Sequence, residues 1–521
     1  MNLARAFVTV SGLTLVSRVL GYARDVLFAA LLGTGLAADA FFVAFKLPNF
    51  FRRLFAEGAF SAAFVPMFAG KLETDGNEAA RRLASDALAM LVACLLVIVL
   101  LAEIAMPLVM SVLAPGFRDQ PEKFALAVEL TRITFPYLLL VSMVALLGGM
   151  LNSAGRFAAF AAAPILLNLS LIVAALLARH GGTEVAETLA WGISAGGVAQ
   201  LIMLLVGVRR AGLMPRIAWP RLTADVKKVL KLFGPAALGA GAVQLNLVVD
   251  IVIASLLPTG AISYLYYADR LNQLPLGVVG IAVGTALLPL LSRQLKAGDE
   301  NGALISQNRA IEMALFFTIP AAVAFVILAD PIIAVLFQRG AFTAEATAAT
   351  GAALVAFSLG LPAYVLIKVF TPGFFARQDT KTPVKIAVVA LVTNLVFNLI
   401  LMGPLAHVGI ALATAIAAWV NAALLFLVLK RRGQIAPDAR LLGRLPRTLL
   451  ATAVMAVVLW LGLVFGMPLV SGRFAFEVPG LAVLIAGGLA FFAVTAHLTG
   501  AVRLGEILRL LRRSSVNTPS A

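Results

Sequence analysis

Cysteine is almost absent from this chain. The single Cys94 lies inside an apolar run, which excludes an intramolecular disulfide and reads as a small packing residue. Histidine is nearly as scarce: His180 and His407 fall in short loops and His497 near the end of the last apolar stretch, each reading as structural. No paired metal-ligand spacing, no glycine-rich phosphate loop followed by Lys-Ser/Thr and no nucleophile elbow occurs, so an enzyme would be poorly supplied with chemistry. Charged residues make up only 13% of the sequence, and no polar stretch is long enough for a soluble domain of useful size. A cleavable signal is not expected either. Arg18, Arg24 and Asp25 interrupt the first apolar stretch, which runs straight into a second.

Apolar residues are what the chain has in abundance, at 61% with a mean hydropathy of +1.00. A soluble protein cannot hide that much apolar surface. Here it falls into runs of roughly 20 residues or more, the length that crosses a ~30 Å hydrocarbon core as a helix. Spans are expected near 6–32, 37–68, 84–113, 124–151, 157–178, 186–208, 232–257, 262–292, 305–329, 346–375, 384–402, 408–429, 448–466 and 479–499. The fold class is therefore an all-α polytopic membrane protein of about fourteen transmembrane helices.

The 41 Lys and Arg outnumber the 25 Asp and Glu, which on its own would suggest a nucleic-acid binder. Their distribution argues otherwise. Most lie in alternate inter-span segments, with clusters at Arg209, Arg210, Arg216, Arg221, Lys227, Lys228 and Lys231 and again from Lys430 to Arg447. That asymmetry is the positive-inside pattern, and it assigns both termini to the cytoplasm. Anionic membrane lipid then accounts for the charge, with no nucleic acid as partner.

The two halves echo each other. Pro136 falls on Pro362 and Asn168 on Asn394 at an offset of 226 residues, and Leu31-Leu-Gly-Thr-Gly35 falls on Leu256-Leu-Pro-Thr-Gly260. An offset of six spans leaves both copies entering the membrane in the same direction, as in parallel-repeat transporters with a site near the midplane. The division expected is 1–212 for spans 1–6, 213–432 for spans 7–12 and 433–521 for spans 13 and 14 with a basic tail.

Basic residues also sit within the spans: Arg18, Arg24, Lys46, Arg52, Arg53, Arg132, Arg270 and Lys368. Each costs ~2.5–3.5 kcal/mol at a helix centre, so those that do not snorkel from a helix end must line a wet cavity or pair with acids. Asp25, Asp39, Glu57 and Asp269 are the nearby carboxylates and do not balance them. Lys46, Asn49, Arg53 and Glu57 share one face of an unbroken helix, with Arg52 displaced by about 100°. Pro48 leaves open which of Arg52 and Arg53 points inward. Two readings stand: a net-positive cavity suited to a diphosphate, which guanidinium groups grip in bidentate fashion, or ion pairs that staple the bundle. Asp250, alone in the seventh span, is either protonated or beside a cation. Asn394, Asn398 and Thr414 offer oxygens of the kind Na⁺ accepts.

The stretches Arg18-Val-Leu-Gly-Tyr-Ala-Arg-Asp25, Ala38-Asp-Ala-Phe41 and Lys46-Leu-Pro-Asn-Phe-Phe-Arg-Arg-Leu-Phe-Ala-Glu-Gly58 closely resemble the MurJ (MviN) family of lipid II flippases. So do Phe337-Gln-Arg-Gly-Ala-Phe342 and Phe375-Ala-Arg-Gln-Asp-Thr-Lys-Thr-Pro383. The resemblance covers essentially the whole chain. It implies the multidrug/oligosaccharidyl-lipid/polysaccharide exporter fold: two six-helix lobes around a central cationic cavity, plus two extra helices. It implies a transporter, not an enzyme, in the bacterial inner membrane, flipping undecaprenyl-diphosphate-linked muropeptide to the outer leaflet by alternating access, with the cell-wall synthesis machinery as a further partner. By the same resemblance, Arg18, Arg24, Arg52 and Arg270 are expected to hold the lipid's charged head, with Asp39 and Asp269 also functional and spans 13 and 14 forming a groove for the prenyl tail. No cofactor is implied. Some relatives carry a Na⁺ site matching Asp250, Asn394, Asn398 and Thr414, but where such a site has a second carboxylate this chain has the neutral Asn398. Membrane potential is the other expected energy source. The alternatives are an exporter of another polyprenyl-linked saccharide, an ion-coupled drug exporter, or a membrane enzyme acting on lipid diphosphates. A cation exporter would need acidic cavity residues, and this cavity is basic.

Overall fold

A computed structural model describes residues 3–54, 60–178, 182–466 and 474–502, and among these it contains helices and no strand. The chain divides into two compact units, Met1–Ser263 with Arg339–Ala346 and Tyr264–Gln338 with Thr347–Ala521.

The first unit carries α1 (Leu3–Leu32), α2 (Leu36–Leu54), α3 (Phe60–Thr74), α4 (Gly76–Ile104), α5 (Met106–Leu113), α6 (Pro121–Thr134), α7 (Tyr137–Ser153), α8 (Ala158–Leu177), α9 (Thr183–Arg210) and α10 (Ala224–Ser255). Expected spans that appear as two helices are broken where the sequence removes a donor. Pro107 opens α5 just after α4 ends, and Pro136 separates α6 from α7. Helices α8 and α9 pack closely because α9 presents glycine: a Cβ at Gly192 would lie 2.7 Å from the Ala174 Cβ, and one at Gly196 2.8 Å from Leu167 Cδ1. The α10 helix opens the second sequence repeat, yet it packs with the first unit, against α2, α3 and α4.

The second unit carries α11 (Ala261–Pro275, whose first turn belongs to the first unit), α12 (Ile281–Lys296), α13 (Glu300–Phe337), α14 (Ala344–Leu359), α15 (Leu361–Phe375), α16 (Lys381–Arg431), α17 (Ala439–Leu461) and α18 (Phe474–Leu498). A π-helical turn, Leu276–Gly280, joins α11 to α12 just after Pro275. Gly360 and Pro362 part α14 from α15, so the repeat-related prolines Pro136 and Pro362 break the corresponding span in each half. Within the 51 residues of α16, Ala406 takes φ 48° and ψ −127°, dividing it into the two expected spans 384–402 and 408–429.

Nine helical segments among the described residues are long and apolar enough to cross a membrane. The expected spans 6–32, 37–68, 232–257 and 262–292 lie partly outside the residues whose side chains are described; where the backbone is described, their positions are helical. Those four carry Arg18, Arg24 and Asp25; Lys46, Arg52 and Arg53; Asp250; and Asp269 with Arg270. Elsewhere the outward faces are apolar, as at the exposed Leu100, Leu101 and Ile104 of α4. Such a surface suits lipid and would aggregate in water. Cys94 is exposed on α4 and packs no core, a correction to the sequence reading: burial on a lipid-bathed helix cannot be inferred from apolarity when both faces are apolar. The protein is a multi-pass α-helical membrane protein.

Candidate functional site

In the first unit, charge is concentrated where α1 meets α2 and α8. Arg24 is 3% exposed. Its Nε and Nη2 donate to Asp25 Oδ1 at 3.0 and 2.7 Å, and its Nη1 donates to Asn168 Oδ1 at 2.9 Å. Asn168 Nδ2 in turn donates to the Ser17 carbonyl at 2.9 Å. The guanidinium carbon lies 5.4 Å from the Phe28 ring centre and 5.6 Å from that of Phe45. A carboxylate, an amide and two aromatic faces thus replace the water that burial removes. Arg18 lies on the same helix and is half-buried, as is Lys46 on α2. The side chains of Arg52 and Arg53, and the whole of Glu57, lie outside the described residues.

Asp39 stands apart from that cluster, in the first turn of α2. It is 1% exposed, and each oxygen makes two bonds. Oδ2 accepts from Lys123 Nζ and from the Gly260 N–H, both at 2.8 Å; Oδ1 accepts from the Ser263 N–H at 3.0 Å and from Ser263 Oγ at 2.6 Å. The carboxylate therefore caps the N-terminus of α11, where helix N–H groups point at an anion. Lys123, also 1% exposed, lies over the Phe117 ring at 4.4 Å. Sequence reading missed Lys123, because it falls one residue outside the fourth expected span and reads as a loop cation. No spacing rule links positions 39, 123 and 263.

Two of the resemblance-bearing motifs prove to be joints. In Phe337-Gln-Arg-Gly-Ala-Phe342, the Ala341 N–H donates to the Ala30 carbonyl at 2.8 Å. Gly340 has φ +57°, and a Cβ there would lie 2.2 Å from that same carbonyl oxygen. Only glycine fits both the backbone and the gap. In the second unit, Asp379 accepts from the Thr382 N–H at 3.0 Å, from Thr382 Oγ1 at 2.6 Å and from Arg432 Nη1 at 2.7 Å. The Arg432 guanidinium and the two Thr382 donors hold the Asp379 carboxyl well below the usual carboxylate range.

Also in the second unit, Arg270 sits half-buried on α11 with its guanidinium 5.4 Å from the Tyr266 ring centre, and Gln273 Nε2 hydrogen-bonds to Asp269. Both residues precede the π-turn, a feature frequent at functional sites. On α16, Asn398 Nδ2 donates to Asn394 Oδ1 at 3.0 Å and Asn394 Nδ2 to Thr414 Oγ1 at 3.3 Å. Two of the oxygens expected to face Na⁺ thus each accept an amide proton. Asp250, half-buried on α10, belongs to the first unit.

Two helical units, each with its own broken fourth span, and basic residues set in the most polar spans define a transporter of the multidrug and lipid-linked saccharide exporter fold. That fold is shared with the inward-facing form of a multidrug resistance MATE family transporter of the MOP superfamily, at a TM-score of 0.67 and 15% identity over 82% of this chain and 97% of that one. A solved structure of a lipid II flippase MurJ in its inward closed conformation is more similar: TM-score 0.79, 27% identity, 94% of this chain and 98% of that one. The sequence profile described as "Lipid II flippase MurJ" matches residues 28–479. A probable lipid II flippase MurJ from Rhizobium tropici is 47% identical over 519 residues, covering 98% of this chain and 97% of that protein. The chain belongs to the MurJ family.

Proposed function

We infer that this protein flips lipid II, moving the undecaprenyl-diphosphate-linked muropeptide from the cytoplasmic to the periplasmic leaflet of the bacterial inner membrane. The observation that carries this reading is the end-to-end 47% identity with a relative named for that activity. The structure contributes buried and half-buried arginines on helices whose other faces are apolar. Arg18, Arg24, Arg52 and Arg270 bind the diphosphate, and Lys46 and Arg53 add to the positive field. Asp25 and Glu57 moderate that field, and Asp39 and Asp269 order the helix ends and faces around it. Arg24 is closed on Asp25 and Asn168, so phosphate engages it by displacing one of these partners. Guanidinium suits this exchange because it stays charged throughout and trades one bidentate acceptor for another.

The prenyl tail stays in lipid along α17 and α18, where Val457, Trp460, Val483, Leu489 and Phe491 are exposed. Both termini lie in the cytoplasm, as the basic helix ends indicate. The positive site is reset by the membrane potential, since one charge moved through 100 mV is worth ~2.3 kcal/mol. Depletion tests the activity: lipid II should accumulate on the cytoplasmic side, and unchanged lipid II distribution in depleted cells would defeat the reading. Arg270→Ala tests the site. Normal translocation by a well-inserted Arg270→Ala protein would remove Arg270 from the phosphate grip.

A further inference from the structure

The segment between α9 and α10 carries exposed apolar side chains that lipid II transport does not use. Residues 213–223 form no helix, and the sequence accounts for it: Met214 and Trp219 each precede a proline, which disfavours helical backbone. The segment is nonetheless fixed at its start. Arg81 Nε of α4 donates to the Met214 carbonyl at 3.0 Å, the Arg216 N–H donates to Ser85 Oγ at 2.8 Å, and the Arg216 guanidinium lies 3.4 Å from Glu78. Leu213 and Pro215 are buried against this base. Beyond Arg216 the side chains are thrown outward: Ile217 is 106% exposed and Trp219 82%, with Leu222 also exposed. Arg221, between Trp219 and Leu222, is exposed as well.

Charge says what covers them. Arg209, Arg210, Arg216, Arg221, Lys227 and Lys228 are all exposed around the segment. The acids nearby are already engaged, Glu78 with Arg81, Arg82 and Arg216, and Asp225 with Lys71. The patch is also continuous with apolar membrane surface, since the exposed Val198, Ile202 and Val206 of α9 lead directly to Arg209. We propose that residues 216–222 are an interfacial anchor: Ile217 and Trp219 enter the headgroup boundary of the cytoplasmic leaflet, and the flanking arginines hold anionic phospholipid headgroups. Tryptophan favours that depth because its ring is amphipathic, and apolar side chains bounded by cations are the usual composition of segments that lie on a bilayer. The anchor rests on the cytoplasmic placement of the basic segments and is independent of what the protein transports. Its function is to hold the connection between the two sequence repeats at the membrane surface.

The test uses the full chain with Trp191, Trp419 and Trp460 changed to Phe, in nanodiscs of phosphatidylcholine with or without phosphatidylglycerol. In the anionic discs, Trp219 emission should shift to the blue, resist acrylamide and be quenched by phosphatidylcholine brominated in its acyl chains, and each effect should be smaller in discs of phosphatidylcholine alone. Arg216→Gln with Arg221→Gln should weaken that insertion, by about fivefold in partition for each cation. If the single-tryptophan chain does not fold, the difference between wild type and Trp219→Phe gives the same reading. Emission typical of water, equally quenched by acrylamide in both discs, would overturn the proposal and leave the surface to a soluble partner. Equal lipid quenching with and without phosphatidylglycerol would overturn it as well, since the headgroup would then be irrelevant.

Discussion

Asn168 and Asn394 occupy the same place in the two sequence repeats, and both are buried, yet they keep different company. Asn168 shares its side-chain oxygen with the Arg24 guanidinium in a charged cluster on α1 and α8. Asn394 is linked to Asn398 and Thr414, both neutral, along α16. At this repeated position the first unit thus holds a charged cluster and the second an amide ladder. An amide serves both because it donates and accepts at once. The cost of disturbing each should differ accordingly, since stranding a buried charge costs more than stranding a buried amide.

The largest effect is expected from Arg24→Ala, which takes from the buried Asp25 the guanidinium that donates to it twice. Thermal unfolding of the detergent-solubilised protein should report a loss of about 3–5 kcal/mol. Arg24→Ala combined with Asp25→Ala should recover much of that loss, and a double variant no more stable than Arg24→Ala would show the pair is not the relevant unit. The same double variant separates folding from transport: a stable protein that no longer delivers lipid II outward points to phosphate binding at Arg24.

Next in size comes Asn394→Ala, expected to cost about 1–3 kcal/mol by leaving Asn398 short of an acceptor. Asn168→Ala should cost more, because it withdraws an acceptor from a charged group. Equal losses at the two positions would erase the contrast between the units.

A smaller loss is expected at Asp379, outside both clusters, where Asp379→Asn keeps an oxygen for the Thr382 N–H and removes the ion pair to Arg432, worth about 1 kcal/mol. The sign of its pH dependence is set by the depressed carboxyl. The folded value lies below the unfolded one, so the contribution is complete at neutral pH and shrinks only as acid approaches the folded value. The stability gap between wild type and Asp379→Asn should therefore be constant from pH 8 to about pH 5 and close below about pH 4. A gap that instead narrows on raising the pH would be incompatible with the Arg432 pairing. The smallest change is a gain. Ala406→Gly relieves a left-handed backbone between the two halves of α16 and should stabilise by about 1 kcal/mol.

Much of the architecture was legible in the sequence. Among the described residues, runs of apolar residues coincide with helices, because backbone groups in hydrocarbon have no other way to satisfy their hydrogen bonds. Prolines at 136 and 362, read only as marks of the repeat, prove to be where two of the spans break, and the break at Ala406 fell in the expected short loop. The ionisable residues in the membrane were legible too, since each is costly enough to demand a reason. Their partners were not. Asp39 read as a site residue alongside the arginines, but nothing in the sequence showed that Lys123 and the first turn of α11 hold it. Phe337–Phe342 and Phe375–Pro383 read as family marks, and the structure makes one a backbone joint to α1 and the other a cap on α16.

The sequence alone determined that this is a helical membrane protein with charge embedded in its most polar spans, because length and hydropathy act residue by residue along the chain. Only the tertiary structure decided which charges neutralise each other and which faces meet lipid. Those outcomes depend on side chains as far apart in the chain as Arg24 and Asn168, or Asp39 and Ser263, being brought within 3 Å by packing, and no local pattern encodes that distance.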